Sequence, residues 1–185
     1  MLIGLAGCGP SGSSFKNADI TGADYGRDFR LTDHTGKTRT LADFRGKVVV
    51  MFFGYTQCPD ACPTTMLELK QVIEQLGPDG KRVQVLFVTI DPERDTPQLL
   101  AQYVPAFDPD FIGLYGDGET TAKTAKDFRI FYQKAAGSRQ GIYTMDHTSG
   151  SYVFDPQGRL RLFVRHGAAA NLATDIRTLL RTTGE

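Results

Sequence analysis

The sequence carries no excess of either charge: 21 lysines and arginines balance 21 aspartates and glutamates over 185 residues. Nothing therefore draws it electrostatically to nucleic acid or an anionic surface, and no nucleic-acid partner is expected. Cysteine is scarce, with three residues, too few for a disulfide framework. No apolar stretch is long enough to cross a bilayer as a helix. There is no basic run, no internal repeat and no low-complexity segment beyond the first turn of the chain. What remains, at 41% apolar content, suits one domain with a sizeable core and short tails.

The stretch around which the rest is organised is Phe52-Phe53-Gly54-Tyr55-Thr56-Gln57-Cys58-Pro59-Asp60-Ala61-Cys62-Pro63. Upstream, Lys47 to Phe53 is a continuous apolar run of strand length, as for a strand buried on both faces. Downstream, Met66, Leu69, Val72, Ile73 and Leu76 recur at helical spacing, and Gly77 then Pro78 supply the stop. Residues four apart share one face of a helix, so Cys58 and Cys62 can approach each other near its start. There the helix dipole and free N–H groups favour a thiolate. A thiolate is both the nucleophile of disulfide exchange and a soft ligand for Cu(I) or zinc, so the motif alone leaves both chemistries open.

The third cysteine lies in Leu5-Ala6-Gly7-Cys8, which resembles a lipobox, with Cys8 as the lipidation site. The Gly/Ser/Pro run after it reads as a flexible tether. Only seven residues precede Cys8, fewer than a complete signal peptide needs; the alternative is a disordered start. Residues 1–18 are thus expected to be a truncated lipoprotein signal and tether, and 19–185 the folded domain. Attachment by lipid places that domain outside the cytoplasm.

Along the domain, Phe29 to Asp33 reads as a short alternating strand and His34-Thr35-Gly36-Lys37 as its turn, with His34 a solvated turn residue. Val83 to Ile90 is a second apolar strand, which with the cysteine helix makes a βαβ unit. Thr96-Pro97 is a helix start, with Thr as N-cap and Pro at the first helical position. Phe111 to Tyr115 reads as a strand and Glu119 to about Phe131 as a helix. Tyr152-Val153-Phe154 and Leu160 to Val164 form a hairpin about Asp155-Pro156-Gln157-Gly158. A last helix runs from about Asn171 to Thr182, with Leu172, Ile176, Leu179 and Leu180 inward. The segment Gln133 to Thr144 is expected to be a long polar connector, a mobile flap.

Cysteines at the first strand-to-helix turn of such a chain suggest a thioredoxin-like fold: a central mixed β-sheet flanked by α-helices, here with an N-terminal β-hairpin extension. Three blocks carry a closer resemblance: Tyr55 to Pro63, Thr89-Ile90-Asp91-Pro92-Glu93-Arg94-Asp95-Thr96-Pro97, and Asp146-His147-Thr148 followed by Tyr152 to Gly158. In this order they resemble the signature blocks of the Sco/SenC/PrrC family, over nearly everything from Asp28 to Leu180. The resemblance implies copper held by Cys58, Cys62 and His147, as Cu(I) and also as Cu(II). It implies delivery to the dinuclear copper site of cytochrome c oxidase subunit II on the periplasmic face of a bacterial membrane. Another periplasmic copper chaperone is a further candidate partner, and the domain is expected to be monomeric. The alternative activity is thiol-disulfide exchange through a redox-active Cys58–Cys62 disulfide that keeps the oxidase cysteines reduced.

The residues can be weighed beside the family. Thioredoxin-type redox pairs have two intervening residues and this pair has three, which is less matched to fast exchange. Two thiolates and an imidazole make a soft three-coordinate set that Cu(I) accepts, whereas structural zinc wants a fourth ligand. His147, in a polar loop before an inner strand, is the best third ligand. Asp146 is expected to fix its tautomer. Asp60 is expected to tune the thiolates electrostatically or to cap a helix beginning near Pro63, and Asp91 to shape its loop. His166 is assigned a structural or exposed role, and Met66 and Met145 are weaker soft ligands, with Met66 placed in the core. Ser149 or Gly150 stands where thioredoxins carry a cis-proline, so a thiol-substrate groove is not expected. A peroxidase would centre on one cysteine and give no reason for His147.

Overall fold

The computed structural model describes residues 15–137 and 143–182. The expectations for Cys8 and the tether before Phe15 lie outside the described residues.

Two apolar runs build the centre. Val48–Gly54 (β4) and Val83–Thr89 (β5) are buried along their whole length and pair in parallel, Val48 opposite Val83 through Gly54 opposite Thr89. Between them lies Ala61–Leu76 (α1), whose buried stripe is Cys62, Thr65, Met66, Leu69, Val72 and Leu76. Gly77, at φ 58, ends the helix, and a short 3-10 turn, Gly77–Arg82, leads into β5. Pro97–Tyr103 (α2) is capped by the Thr96 hydroxyl, which accepts from the Leu99 N–H, as expected of Thr-Pro. Ile112–Tyr115 (β6) then adds to β5 in parallel.

Gly118–Asp127 (α3) is shorter than the sequence suggests. Arg129 adopts φ 55, the one non-glycine positive φ among the described residues, and the Ile130 N–H returns to the Ala125 carbonyl, so the helix closes before Phe131. Tyr132–Ala136 (β7) and Tyr143–His147 (β8) form a separate antiparallel ribbon. This corrects the expectation of a polar flap for residues 133–136 and 143–144; residues 138–142 of that segment lie outside the described residues. β7 is largely exposed and β8 mostly half-buried, so the ribbon's sequence lacks the apolar alternation that marks a strand packed on a core.

Gly150–Phe154 (β9) runs antiparallel to β4, and Leu160–Arg165 (β10) antiparallel to β9. The N-terminal hairpin, Arg30–Asp33 (β2) with Thr38–Thr40 (β3), extends the sheet beyond β6, and Ala18–Asp19 (β1) lies against β10. The resulting eight-stranded order is β1-β10-β9-β4-β5-β6-β2-β3. Leu172–Arg181 (α4) packs Leu172, Ile176, Leu179 and Leu180 inward, as its periodicity requires.

Two polar anchors hold the periphery. His34 is not a solvated turn residue: its Nδ1 accepts from the Gly113 N–H at 3.0 Å, tying the β2–β3 hairpin to β6. Asp155 is fully buried in the β9–β10 turn, accepting from the Gln157 and Arg159 N–H groups and from the Arg159 and Arg161 side chains. Replacing it by alanine strips the turn of its acceptor and leaves the half-buried Arg161 without its carboxylate. Asp155→Ala is expected to cost about 3 kcal/mol, read as a lower urea midpoint at unchanged slope.

Candidate metal centre

Strand direction decides where the chemistry gathers. β4 and β5 are parallel, so the loops after Gly54 and after Thr89 leave the same edge of the sheet. β9 is antiparallel to β4, with Ser151 opposite Phe52, so the segment entering β9, which contains His147 and Thr148, arrives at that edge too. The three sequence blocks therefore meet for a topological reason.

Cys58 lies in the turn before α1 and is partly exposed, while Cys62 is in the first turn of the helix and fully buried. The Cys62 N–H donates to the Cys58 sulfur at 3.4 Å. In effect the sulfur takes the acceptor role that a capping side chain has at other helix starts. Asp60, by contrast, occupies the N-cap position without making the capping bond, and the helix begins at Ala61 rather than near Pro63. The carboxylate is displaced from the expected role because the sulfur already holds the helix N–H.

Hydrogen bonding from Cys62 dominates the electrostatics: it holds Cys58 as the thiolate, down at about 5 from the ordinary 9.0, against the opposing effect of burial. The N–H groups of Asp60 and Cys62 act in the same direction, as does His147 when its ring is protonated. Cys62 is pushed strongly upward by its bond to Cys58 and by burial. The pair thus carries one proton, on the inner sulfur. Both thiols are free, without a disulfide.

Gly54 makes room for this arrangement. A Cβ there would stand 2.9 Å from the Cys62 sulfur and 2.8 Å from the Phe52 ring. Below the turn, Asp95 is buried and accepts from the Thr56 N–H at 3.0 Å and from the Thr56 and Thr89 hydroxyls. It fastens the cysteine loop to the end of β5, and burial raises its carboxyl above the usual range.

His147 is the last residue of β8, not a loop residue, and its ring meets Tyr55 edge-on with centroids 6.1 Å apart. Its Nδ1 lies 2.9 Å from the Thr148 carbonyl. A carbonyl only accepts, so Nδ1 carries the proton and Nε2 the lone pair. The tautomer is therefore set by Thr148, and Asp146, which is exposed, does not have the role expected of it. Among the described residues no three histidine, cysteine or acidic side chains converge tightly enough to enclose an ion. The cysteines are joined; His147 stands beside them on a separate ribbon.

A family model described as SCO1/SenC matches residues 17–181. The chain belongs to the SCO1/SenC family. This SCO1/SenC domain is 39% identical over 150 residues to the mitochondrial protein SCO2 homolog of Bos taurus, covering 80% of this chain and 56% of that protein. It spans about half the length of the curated relatives it matches. Among solved structures it is similar to apo Sco1 of Thermus thermophilus, with 39% identity, a TM-score of 0.78, and 91% of this chain and 99% of that one covered. It is also similar to ScoI of Bradyrhizobium japonicum with copper bound, with 38% identity, a TM-score of 0.75, and 85% and 99% covered. The fold is thioredoxin-like, as expected.

In the SCO1/SenC domain the remaining candidates fall outside the site or behind it. Met66 is core, as expected, and Met145 is also buried. His166 is exposed, with Nδ1 3.0 Å from the Thr65 hydroxyl, a tie between β10 and α1. Asp91 shapes its loop by bonding Arg94 and the Tyr143 hydroxyl. No cis peptide occurs among the described residues, and Gly150, one of the two positions expected near the thioredoxin proline, is packed under Phe163.

The thiolate has a pH signature. Iodoacetamide alkylation of the reduced chain with Cys8→Ser should rise to half its plateau near pH 5, not near the ordinary thiol value. The folded value is depressed, so the thiolate's contribution to stability is complete above the ordinary 9.0 and is lost as pH falls through about 5. Half-maximal alkylation above about pH 8 would contradict the assignment.

Proposed function

We propose that this domain carries copper as cargo, binding Cu(I) between the sulfurs of Cys58 and Cys62 and the Nε2 of His147, and handing it to a respiratory oxidase. The observation that carries the reading is the donor set itself. One sulfur is already an anion, the second lies against it with a single proton to lose, and the nearby imidazole has its other nitrogen committed to a carbonyl. Two soft sulfurs and one imidazole suit Cu(I) in a three-coordinate site and leave zinc a ligand short. Binding releases the Cys62 proton and draws β8 toward the cysteine loop, since the three groups stand apart without the ion. Such a site favours transfer: a ligand on a separate ribbon can be withdrawn to open a coordination position for an incoming thiolate.

The copper-bound ScoI relative supports the choice of metal. The family resemblance supports cytochrome c oxidase as the client, with the dinuclear site of subunit II as the destination and another periplasmic copper chaperone as a source. On this reading the domain works on the extracytoplasmic side of a bacterial membrane, tethered through a lipidated Cys8. No helix among the described residues is long and apolar enough to cross a membrane.

A linked thiol activity has its own support: an activated, partly exposed Cys58 beside a buried Cys62 is the asymmetry of an attacking and a resolving thiol. Passing two electrons to a client disulfide releases the pair's one proton, joins the sulfurs and eliminates both thiolate ligands, so metal and disulfide exclude each other.

The test is an anaerobic Cu(I) competition titration of the reduced chain with Cys8→Ser. One tightly held copper per chain, displaced on oxidation to the disulfide, is expected. Weak, non-stoichiometric binding would overturn the carrier reading and leave thiol exchange.

A further inference from the structure

The ribbon that bears His147 has no strand pairing with the main sheet, so something else must fix where the histidine stands. Several side chains span the gap, Tyr55 to the Met145 backbone and Lys134 to Glu93 among them, and one of them joins both sides at several points. Arg94, in the loop after β5, is only 17% exposed. Its Nη1 donates to the backbone carbonyl of Tyr143 at 2.8 Å, at the start of β8, and to Gln57 Oε1 at 3.3 Å, next to Cys58. Its Nε pairs with the buried Asp91 carboxylate. The guanidinium carbon lies 3.6 Å from the centroid of the Tyr143 ring and 5.7 Å from that of Tyr55, the ring His147 meets edge-on. The Tyr143 hydroxyl completes the circuit by donating to Asp91 at 2.8 Å.

We infer that Arg94 is a positioning residue, a latch that holds the β7–β8 ribbon against the cysteine loop and so presents His147 to the metal. The copper consequence rests on the carrier reading above; the latch itself does not. A planar fork with several donors can join acceptors on two segments at once, which a single ammonium cannot do in the same geometry. One nitrogen is uncommitted: Nη2 is buried without an acceptor. It gives the latch a bond to make when β8 moves inward over a bound ion. The outer tie, Lys134 to Glu93 at 2.7 Å, joins the same two segments but is solvent-exposed at both ends, and screening leaves it a minor contributor.

The test uses the full reduced chain with Cys8→Ser, carrying Arg94→Gln or Arg94→Lys, each with and without His147→Ala. Two readouts are taken: Cu(I) affinity by competition, and amide hydrogen exchange of the copper-free protein. Arg94→Gln should weaken Cu(I) about tenfold, as loss of an outer-sphere partner does, and should have little effect once His147 is alanine. Arg94→Lys should behave as Arg94→Gln, because charge without the fork cannot bridge. Exchange should speed up over Tyr143 to His147 and stay unchanged over Val83 to Thr89. An equal loss in both histidine backgrounds would overturn the latch, and so would wild-type affinity in Arg94→Lys. If His147→Ala itself leaves Cu(I) affinity untouched, the ligand assignment fails instead. Exchange over the ribbon then decides the latch: faster exchange in Arg94→Gln supports it, and unchanged protection overturns it.

Discussion

Replacing either cysteine by serine is expected to weaken Cu(I) binding by more than about 100-fold, beyond the loss caused by an outer-sphere partner. A serine hydroxyl is a hard donor that stays protonated at neutral pH, so the site loses a soft anion and the bond it made. The two variants should nevertheless differ in their side effects. Cys58→Ser removes the sulfur that accepts the Cys62 N–H and the anion that pushes the Cys62 thiol upward. The surviving thiol should remain slow to alkylate, because it is buried. Cys62→Ser keeps a hydroxyl that can donate to the Cys58 sulfur in place of the thiol, so the Cys58 alkylation midpoint should stay low, whereas Cys62→Ala removes that donor and should move it toward the ordinary thiol range. Competition titration and pH-resolved alkylation check both. Tight Cu(I) binding by either single variant would contradict the two-sulfur site.

His147→Ala should weaken Cu(I) by about 10- to 100-fold while leaving oxidation of Cys58 and Cys62 to the disulfide intact. The two sulfurs alone can still hold Cu(I) as a pair, so the loss is smaller than for a cysteine. The contrast is the useful part. Metal binding depends on a group from β8, whereas disulfide formation depends only on the turn and the first helical turn. The variant therefore separates carriage from redox chemistry in one protein. Competition titration gives the first quantity and a redox titration against glutathione the second. Disulfide formation impaired as severely as metal binding would show that His147 serves the thiols rather than the ion.

The sequence makes the inner part of this site legible because the constraints there are local. The apolar run before Cys58 and the stripe from Met66 to Leu76 define a buried strand and an amphipathic helix, and the turn between them has to carry both cysteines. What was misread depends on partners far along the chain. His34 is taken for a solvated turn residue because its partner, the Gly113 N–H, is 79 positions away. The role of Arg94 is invisible for the same reason, its acceptor at Tyr143 being 49 positions on. The β7–β8 ribbon escapes because a two-stranded element with one largely exposed and one half-buried strand has no need of alternating apolar residues. Asp146 misleads because adjacency suggests a carboxylate partner for His147, where the backbone carbonyl of Thr148 already serves.

The central claim is that two sulfurs and one imidazole of a single chain hold the copper. X-ray absorption of the anaerobically Cu(I)-loaded chain with Cys8→Ser tests it most directly, compared with its His147→Ala variant. A three-coordinate site of two sulfurs and one nitrogen is expected, becoming two-coordinate sulfur in the variant. The same sulfur-only spectrum from both proteins would contradict it.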